Sequence, residues 1–535
     1  DYIYYNQNHP YAADKGRILD RNRFVMTNTI DLYANYNRKI GEDFELGAMV
    51  GHSFLKTRSR TSYIDAQNYP SPAFDVASVA ANIVDASAGL SEYAIESYFA
   101  RLSLAYKDRY VVNATIRTDG SSRFAPDCRW GWFPSVSVGW NVSNESFWNA
   151  EKTDLKIRAS YGRTGNQDGI SNYGWQALIS GGVNYGGQSG IAISSSGNDR
   201  LTWETADQYN AGFDLSFLGG KINMIADVYL KNTNNLLYSK PVHATTGETS
   251  ILSNIGSMRN KGVEFTINTH LNLGKVLWSS SFNIARNVNK LTSLLEDDLL
   301  SIGANRALKL GRTVGSWYIF RTDGIYQYDG EVPQALYDKG VRAGDVKYWD
   351  RNGDGDITDD DRIVTGNPNP KFSGGWNNTF KYKGLELSLF FTYSYGNDVY
   401  ASWMIHGSKP GYTRSLLKAY ADNRWTGPGT SDKYPRAIYS YSGWNGKNST
   451  MYLTDGSFIR LRSVTLGYTF PQRLVSKIHL KGLRVYAQGD NVFLCSRYPG
   501  WDPETSVNLD PRFYGEDNDG VPQPRIFKLG VNITF

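Results

Sequence analysis

The last eleven residues, "RIFKLGVNITF", alternate without a break. Phe527, Leu529, Val531, Ile533 and Phe535 are apolar, and Lys528, Gly530, Asn532 and Thr534 between them are polar or small. A period of two belongs to a β-strand, whose successive side chains point to opposite faces. This strand has one apolar and one wettable face. In a soluble sandwich the apolar face would meet a core. In a membrane barrel it would meet lipid, with the polar face lining a wet lumen.

The pattern recurs in pairs around short turns. "FKYKGLELSLFFTYSY" reads as two strands, with Leu385, Leu387, Leu389, Phe391, Tyr393 and Tyr395 on one face. "YFARLSLAYKDRYVVNATI" turns at Lys107-Asp108 and "FDLSFLGGKINMIADVYL" at Gly219-Gly220. "GVEFTINTHLNLGKVLWSSSFNIARN" is expected to turn near Asn272, and "IDLYANYNRKIGEDFELGAMVGH" near Lys39–Glu42. Alternation on both sides of turn-forming residues predicts hairpins. About fifteen strands of roughly twelve to sixteen residues are expected, longer than the soluble norm. A tilted strand needs only about nine to eleven residues to cross hydrocarbon.

Loop lengths sort by side. The tight turns alternate with long connections near 56–92, 165–201, 232–258, 288–371, 398–455 and 495–524, the shortest on that side being 119–131. Outer-membrane barrels place short turns in the periplasm and long loops outside. The expected fold is therefore all-β, a transmembrane antiparallel barrel. Residues 288–371 and 398–455 form long extracellular connections. With the first strand, about 22–36, running inward and the last ending inside, the number of strands is odd, whereas a single-chain bacterial barrel has an even number. Upstream strands are expected.

The mean hydropathy of −0.46 does not oppose this, because alternating strands average out as hydrophilic. No apolar run is long enough for a transmembrane helix. The net charge of +5 is small for 535 residues and spread along the chain, which argues against nucleic acid. Cys128 and Cys495 are read as two separate thiols, with pairing left open. His9, His52, His243, His270, His406 and His479 are scattered, without a zinc-binding pair. No nucleophile elbow or phosphate-binding glycine loop occurs, and the Glu296/Asp297/Asp298 run reads as solvated loop, so no catalytic residue is expected. Aromatic and amide-rich stretches at 171–176, 443–448 and 498–504 have the chemistry to stack on sugars or grip peptide backbone, or to pack loop on loop.

One stretch carries metal-ligand spacing. In "YWDRNGDGDITDDDRIV", Asp350, Asn352 and Asp354 fall at positions 1, 3 and 5 of a twelve-residue loop. Gly355 follows at the sharp turn, then Asp356 at 7, Thr358 at 9 and Asp361 at 12. This is an EF-hand-like spacing with Asp for the usual final Glu. The flanks are not paired helices, so a structural Ca²⁺, ahead of Mg²⁺, is expected rather than a switch. The alternative is an acidic turn held by its own Asx hydrogen bonds.

From "DRIVTGNPNPKFSGGWNNTFKYKGLELSLFFTYSYGNDVY", the sequence resembles the SusC/RagA-type TonB-dependent transporters. "FARLSLAYKDRYVVNATIRTDGSSRFAPDCRWGWFPSVSVGW", "IRASYGRTGNQ", "NIGSMRNKGVEF", "VGSWYIFRTDGIYQ", "IRLRSVTLGYTFP" and "LRVYAQGDNVF" match in family order from about residue 95 onward. The terminal Phe535 also resembles the signature by which outer-membrane barrels are recognised for assembly. The resemblance implies the last fifteen of twenty-two barrel strands, and an N-terminal plug not in this chain. It also implies a SusD-like surface lipoprotein over the mouth and a TonB-ExbB-ExbD motor engaging the missing part. The implied function is active import of oligosaccharides or oligopeptides across the outer membrane of a Gram-negative bacterium. Other readings are a receptor for a small metal chelate and a non-transporting scaffold anchored by the barrel.

Overall fold

The computed structural model describes residues 2–5, 15–149, 152–243, 245, 247–294, 298–408, 415–438 and 443–535. His9, Glu296 and Asp297 lie outside the described residues. One sheet of sixteen strands takes them strictly in chain order. They are β1 (Tyr2–Tyr5), β2 (Arg17–Ile40), β3 (Phe44–Gln67), β4 (Asn82–Tyr106), β5 (Tyr110–Ser121) and β6 (Trp130–Asn141). β7 (Thr153–Asn166), β8 (Glu204–Phe217), β9 (Ile222–Asn234), β10 (Gly256–Leu273) and β11 (Val276–Leu294) follow. β12 (Phe372–Tyr382), β13 (Leu385–Tyr395), β14 (Phe458–Thr469), β15 (Gly482–Ser496) and β16 (Ile526–Thr534) complete it.

The expected count of about fifteen is met by the strands other than β1, which pairs with the start of β2. Strand length is corrected upward: β2 and β3 run 24 residues and β4 runs 25. Most of the expected 56–92 connection is strand. Residues such as Thr57, Ser59 and Thr61 keep the ladder going, but β3 carries only polar side chains from Lys56 to Ser62, so the apolar alternation that marks a strand disappears there. The predicted turns stand at Lys383-Gly384, a two-residue loop between paired Tyr382 and Leu385, and at Lys107-Asp108, the first two of three residues between paired Tyr106 and Tyr110; all four have the positive φ of a hairpin turn. The turn expected near Asn272 lies at Gly274-Lys275, because Leu273 still pairs with Val276.

Two compact units divide the chain. The first comprises Asp1–Val138, Ser160–Asp207 and Thr233–Ile255. Its core is a small aromatic cluster of Phe124, Phe133, Ile170, Leu201 and Trp203. The second comprises Gly139–Ala159, Gln208–Asn232 and Gly256–Phe535.

In the second unit the register fixes which side chains share a face. On β10 and β11, Val263, Phe265, Ile267, Leu271 and Leu273 lie opposite or beside Val276, Trp278, Phe282 and Ile284. The other face carries Glu264, Thr266, Asn268, His270 and Asn272. Two polar groups on the apolar face are covered by indoles. Trp376 Nε1 donates to Ser280 Oγ at 3.0 Å, and Trp278 Nε1 donates to Asn378 Oδ1 at 3.2 Å. Several rings lie over glycines on a neighbouring strand. A Cβ on Gly530 would enter the Tyr486 ring, one on Gly374 the Tyr393 ring and one on Gly262 the Tyr229 ring. In the first unit Gly51 and Phe99 repeat the arrangement.

Candidate functional site

The long connections of the second unit are folded. A four-stranded sheet joins Leu299–Ile302, Arg306–Lys309, Trp317–Phe320 and Arg362–Thr365. A three-stranded sheet takes Asp398–Ala401 from the connection after β13, Leu453–Asp455 from before β14 and Glu516–Asp517 from between β15 and β16. Two apolar clusters fill the layer. One holds Phe320, Tyr326, Leu336, Val346 and Tyr348, the other Trp317, Tyr400, Met404 and Tyr452. Each of these buried side chains contributes roughly 1.5–3 kcal/mol relative to exposure, against the entropy cost of ordering the connections.

Buried charges pin the connections together. Arg306 is fully buried, with its guanidinium carbon 4.1 Å from the centre of the Trp317 ring. It donates to the Gly315 carbonyl, to Tyr514 O at 3.0 Å and to Phe513 O at 3.2 Å, and Glu516 stands 3.8 Å away. Burial pulls its pKa down to about 10. Asp345 accepts both arms of Arg436 at 2.9 and 3.1 Å and the Asn445 amide at 2.9 Å. Arg460 meets Asp502 at 2.5 Å. Its Nε lies 2.7 Å from Glu504 Oε2, though its N–H does not point along that line, and Glu504 also binds Arg462. Tyr498 donates to Asp517 at 2.5 Å and accepts from Trp403 Nε1 at 3.0 Å, and burial pushes its hydroxyl pKa up.

The acidic loop turns where its spacing requires, with Gly355 at φ +82°. Asp350 accepts the N–H groups of Gly353 at 2.7 Å and Gly355 at 2.8 Å. Asn352 accepts from Asp354 N–H at 3.0 Å, and Asp354 from Asp356 N–H at 2.8 Å. Asp356 binds Lys339 at 2.5 Å, which holds its carboxyl below the usual range. Thr358 Oγ1 accepts from Asp360 N–H at 3.4 Å. Asp361 is fully buried and accepts N–H from Arg351 and Thr358, both at 2.8 Å. No cationic side chain among the described residues pairs with it. No three His, Cys, Asp or Glu side chains among the described residues are gathered as metal ligands. The side-chain oxygens of Asp350, Asn352, Asp354 and Asp361 instead close the loop on its own backbone.

Of the aromatic stretches, 171–176 packs inward. Tyr173 Oη accepts Glu92 N–H at 3.1 Å, and Trp175 Nε1 donates to Ser122 O at 3.3 Å. In 443–448, Trp444 Nε1 donates to Val346 O at 2.8 Å, and Lys447, its pKa lowered by burial, lies 4.9 Å from the centre of the Phe320 ring. In 498–504, Trp501 is 79% exposed. Leu509 and Val521 on the same connection are each 84% exposed. Sequence reading passed over both, because single apolar residues among Asn, Asp and Pro carry no period. On the strands, the polar face is tied by Lys381–Glu386–Arg484 contacts at 3.0 and 2.9 Å. Lys528–Asp490 adds another at 2.6 Å.

A meander of alternating strands, polar on one face and apolar on the other, with short turns at one end and folded connections at the other, defines an outer-membrane receptor barrel. The chain belongs to the family described as TonB dependent receptor-like, beta-barrel, whose model matches residues 1–492. TonB-dependent receptor P26 of Formosa agariphila is 33% identical over 94% of this chain and 52% of its own length. TonB-dependent receptor SusC of Bacteroides thetaiotaomicron is 29% identical over 94% of this chain and 50% of its own length. A structure of the RagAB peptide transporter superposes with a TM-score of 0.86 at 23% identity, covering 99% of this chain and 58% of that one, a likeness of fold. The SusC/RagA resemblance read from sequence is thus borne out. The chain spans about half the length of the curated relatives it matches. Membership in this family implies an outer-membrane location.

Proposed function

We propose that this chain supplies strands and outer loops of a TonB-dependent importer of oligomeric nutrients, glycans or oligopeptides, in the outer membrane of a Gram-negative bacterium. The connections of 295–371, 398–457 and 497–525 lie outside the cell, a SusD-like lipoprotein closes over them, and the TonB-ExbB-ExbD motor acts through sequence beyond this chain. The observation that carries the reading is the folded loop layer with its own apolar clusters, which presents Trp501, Leu509 and Val521 to solvent. Where such side chains gather into one patch they mark contact with a partner or ligand, and these three lie on one connection, 497–525. The names SusC and RagAB peptide transporter among its relatives support the same class.

The test is mass spectrometry of everything that co-purifies with the full-length protein from detergent-solubilised outer membranes. A large lipoprotein with bound oligosaccharide or peptide is expected, and Trp501→Ala with Leu509→Ser should reduce recovery of one or the other. Purification with neither, from cells growing on such oligomers, would sink the reading.

The same layer is proposed to hold Ca²⁺, or Mg²⁺ less readily, at Asp350, Asn352, Asp354, the Asp356 carbonyl, Thr358 and Asp361. Each Asp350 oxygen takes one N–H and keeps a second lone pair, and the buried Asp361 carboxylate meets no cationic side chain among the described residues. The ion would stiffen the loop. Limited proteolysis across 345–365 should speed up with chelator in the wild type, and Asp350→Asn/Asp354→Asn should cleave fast in either condition. Cleavage indifferent to chelator would leave the Asx-bonded acidic turn as the better account.

A further inference from the structure

We propose that the apolar face of the β10–β11 hairpin ends, at its outer edge, in a binding site for the phosphate groups of an outer-leaflet lipid headgroup. The register from Met258/Leu291 to Leu273/Val276 is continuous, so facing residues share a side throughout. The apolar run from Val263 to Leu273 rises about 25 Å at roughly 3.3 Å per residue and a 40° tilt, the height of a barrel's lipid-facing band. On the same face, Arg286 lies level with the run's outer end, opposite Val263, and beyond it come Lys261 opposite Val288 and Arg259 opposite Lys290.

All four cations are exposed, and none pairs with a carboxylate among the described residues. Exposed cations on β3 differ: Lys56 and Arg58 both reach Glu92. Arg259 Nε donates to Asn232 Oδ1 at 2.8 Å, which holds that side chain along the strands. The acid nearest in sequence, Glu264, is on the opposite face. Two cations directly opposite each other destabilise a strand pair unless an anion lies between them. Guanidinium groups bind phosphate oxygens bidentately, and a phosphate at the lipid boundary arrives with its acyl chains already on the apolar band.

The inference rests on the proposed outward orientation of the connections, which is tested separately. In a Cys128→Ser/Cys495→Ser background, Lys290→Cys should react with a membrane-impermeant maleimide on intact cells. Reaction only after lysis would overturn the orientation and the site together. The site itself is tested on the full-length protein in detergent by native mass spectrometry with bis-phosphorylated lipid A. The wild type should retain this lipid about tenfold or more above the Arg259→Gln/Lys261→Gln/Arg286→Gln/Lys290→Gln variant. Its dephosphorylated form should be held weakly and equally by both. Lys381→Gln/Lys528→Gln, on the polar face, should retain lipid as the wild type does. Equal retention by the fourfold variant would overturn the proposal. So would displacement by millimolar inorganic phosphate, which would mark a free-anion site. Loss of a co-purifying protein with lipid unchanged would assign the cations to a protein contact instead.

Discussion

Asp398 sits where β13 gives way to the outer layer, accepting Asn367 N–H at 2.8 Å. Burial lifts its carboxyl pKa above the usual value, Asp455 adds to the shift and Lys371 opposes it. The folded layer therefore holds this proton more tightly than the unfolded chain. Stability gained from it grows as pH falls through the raised folded value and levels off below the ordinary carboxylate value. Asp398→Asn keeps an acceptor for Asn367 and removes the charge. Its expected effect is a layer at least as protease-resistant as wild type at pH 7.5, with no further gain at pH 5. A second residue tests the opposite sign of burial. Arg306→Gln strips a guanidinium from Trp317 and leaves carbonyls of Gly315, Phe513 and Tyr514 without donors. A loss of about 3 kcal/mol is expected, read as a lower denaturant midpoint for cleavage near 511–516. Neither residue stood out in the sequence, because each owes its role to segments distant along the chain.

Among elements, strands announced themselves and connections did not. β13 and β16 are legible because lipid and lumen impose a local rule, one residue in and one out. The upper part of β3 escapes it, since from Lys56 to Ser62 the strand carries only polar side chains and no apolar residue marks the alternation. The connections fold through long-range contacts such as Asp345 with Arg436, for which no periodicity exists. Asp345→Ala should cost about 3 kcal/mol, by stranding Arg436 and the Asn445 amide together. Both 322–348 and 424–447 are expected to become protease-sensitive at the same denaturant concentration. If only one does, the clamp does not couple them. The acidic loop was legible in spacing and in its Gly355 turn. What its oxygens bind was not, because backbone N–H groups and a cation compete for the same lone pairs.

For the whole molecule, the two faces of the strands make the sharpest prediction. Leu389 lies on the apolar face of β13, five residues beyond the Lys383-Gly384 turn, and Ser388 lies on the polar face beside Thr379 and Thr465. Leu389→Lys should destabilise the inserted protein by about 2–4 kcal/mol and lower its surface level, whereas Ser388→Lys should be tolerated. Equal tolerance would contradict a lipid-facing surface there. The rings that rest on glycines carry a last consequence. Tyr486 fits over Gly530, and Tyr393 over Gly374, only when the strands are aligned as they are. A slip of one or two positions puts a ring against a side chain and leaves a glycine bare. Each pair works as a checksum on alignment: a pairing one or two positions out of step meets a clash at the ring instead of a fit.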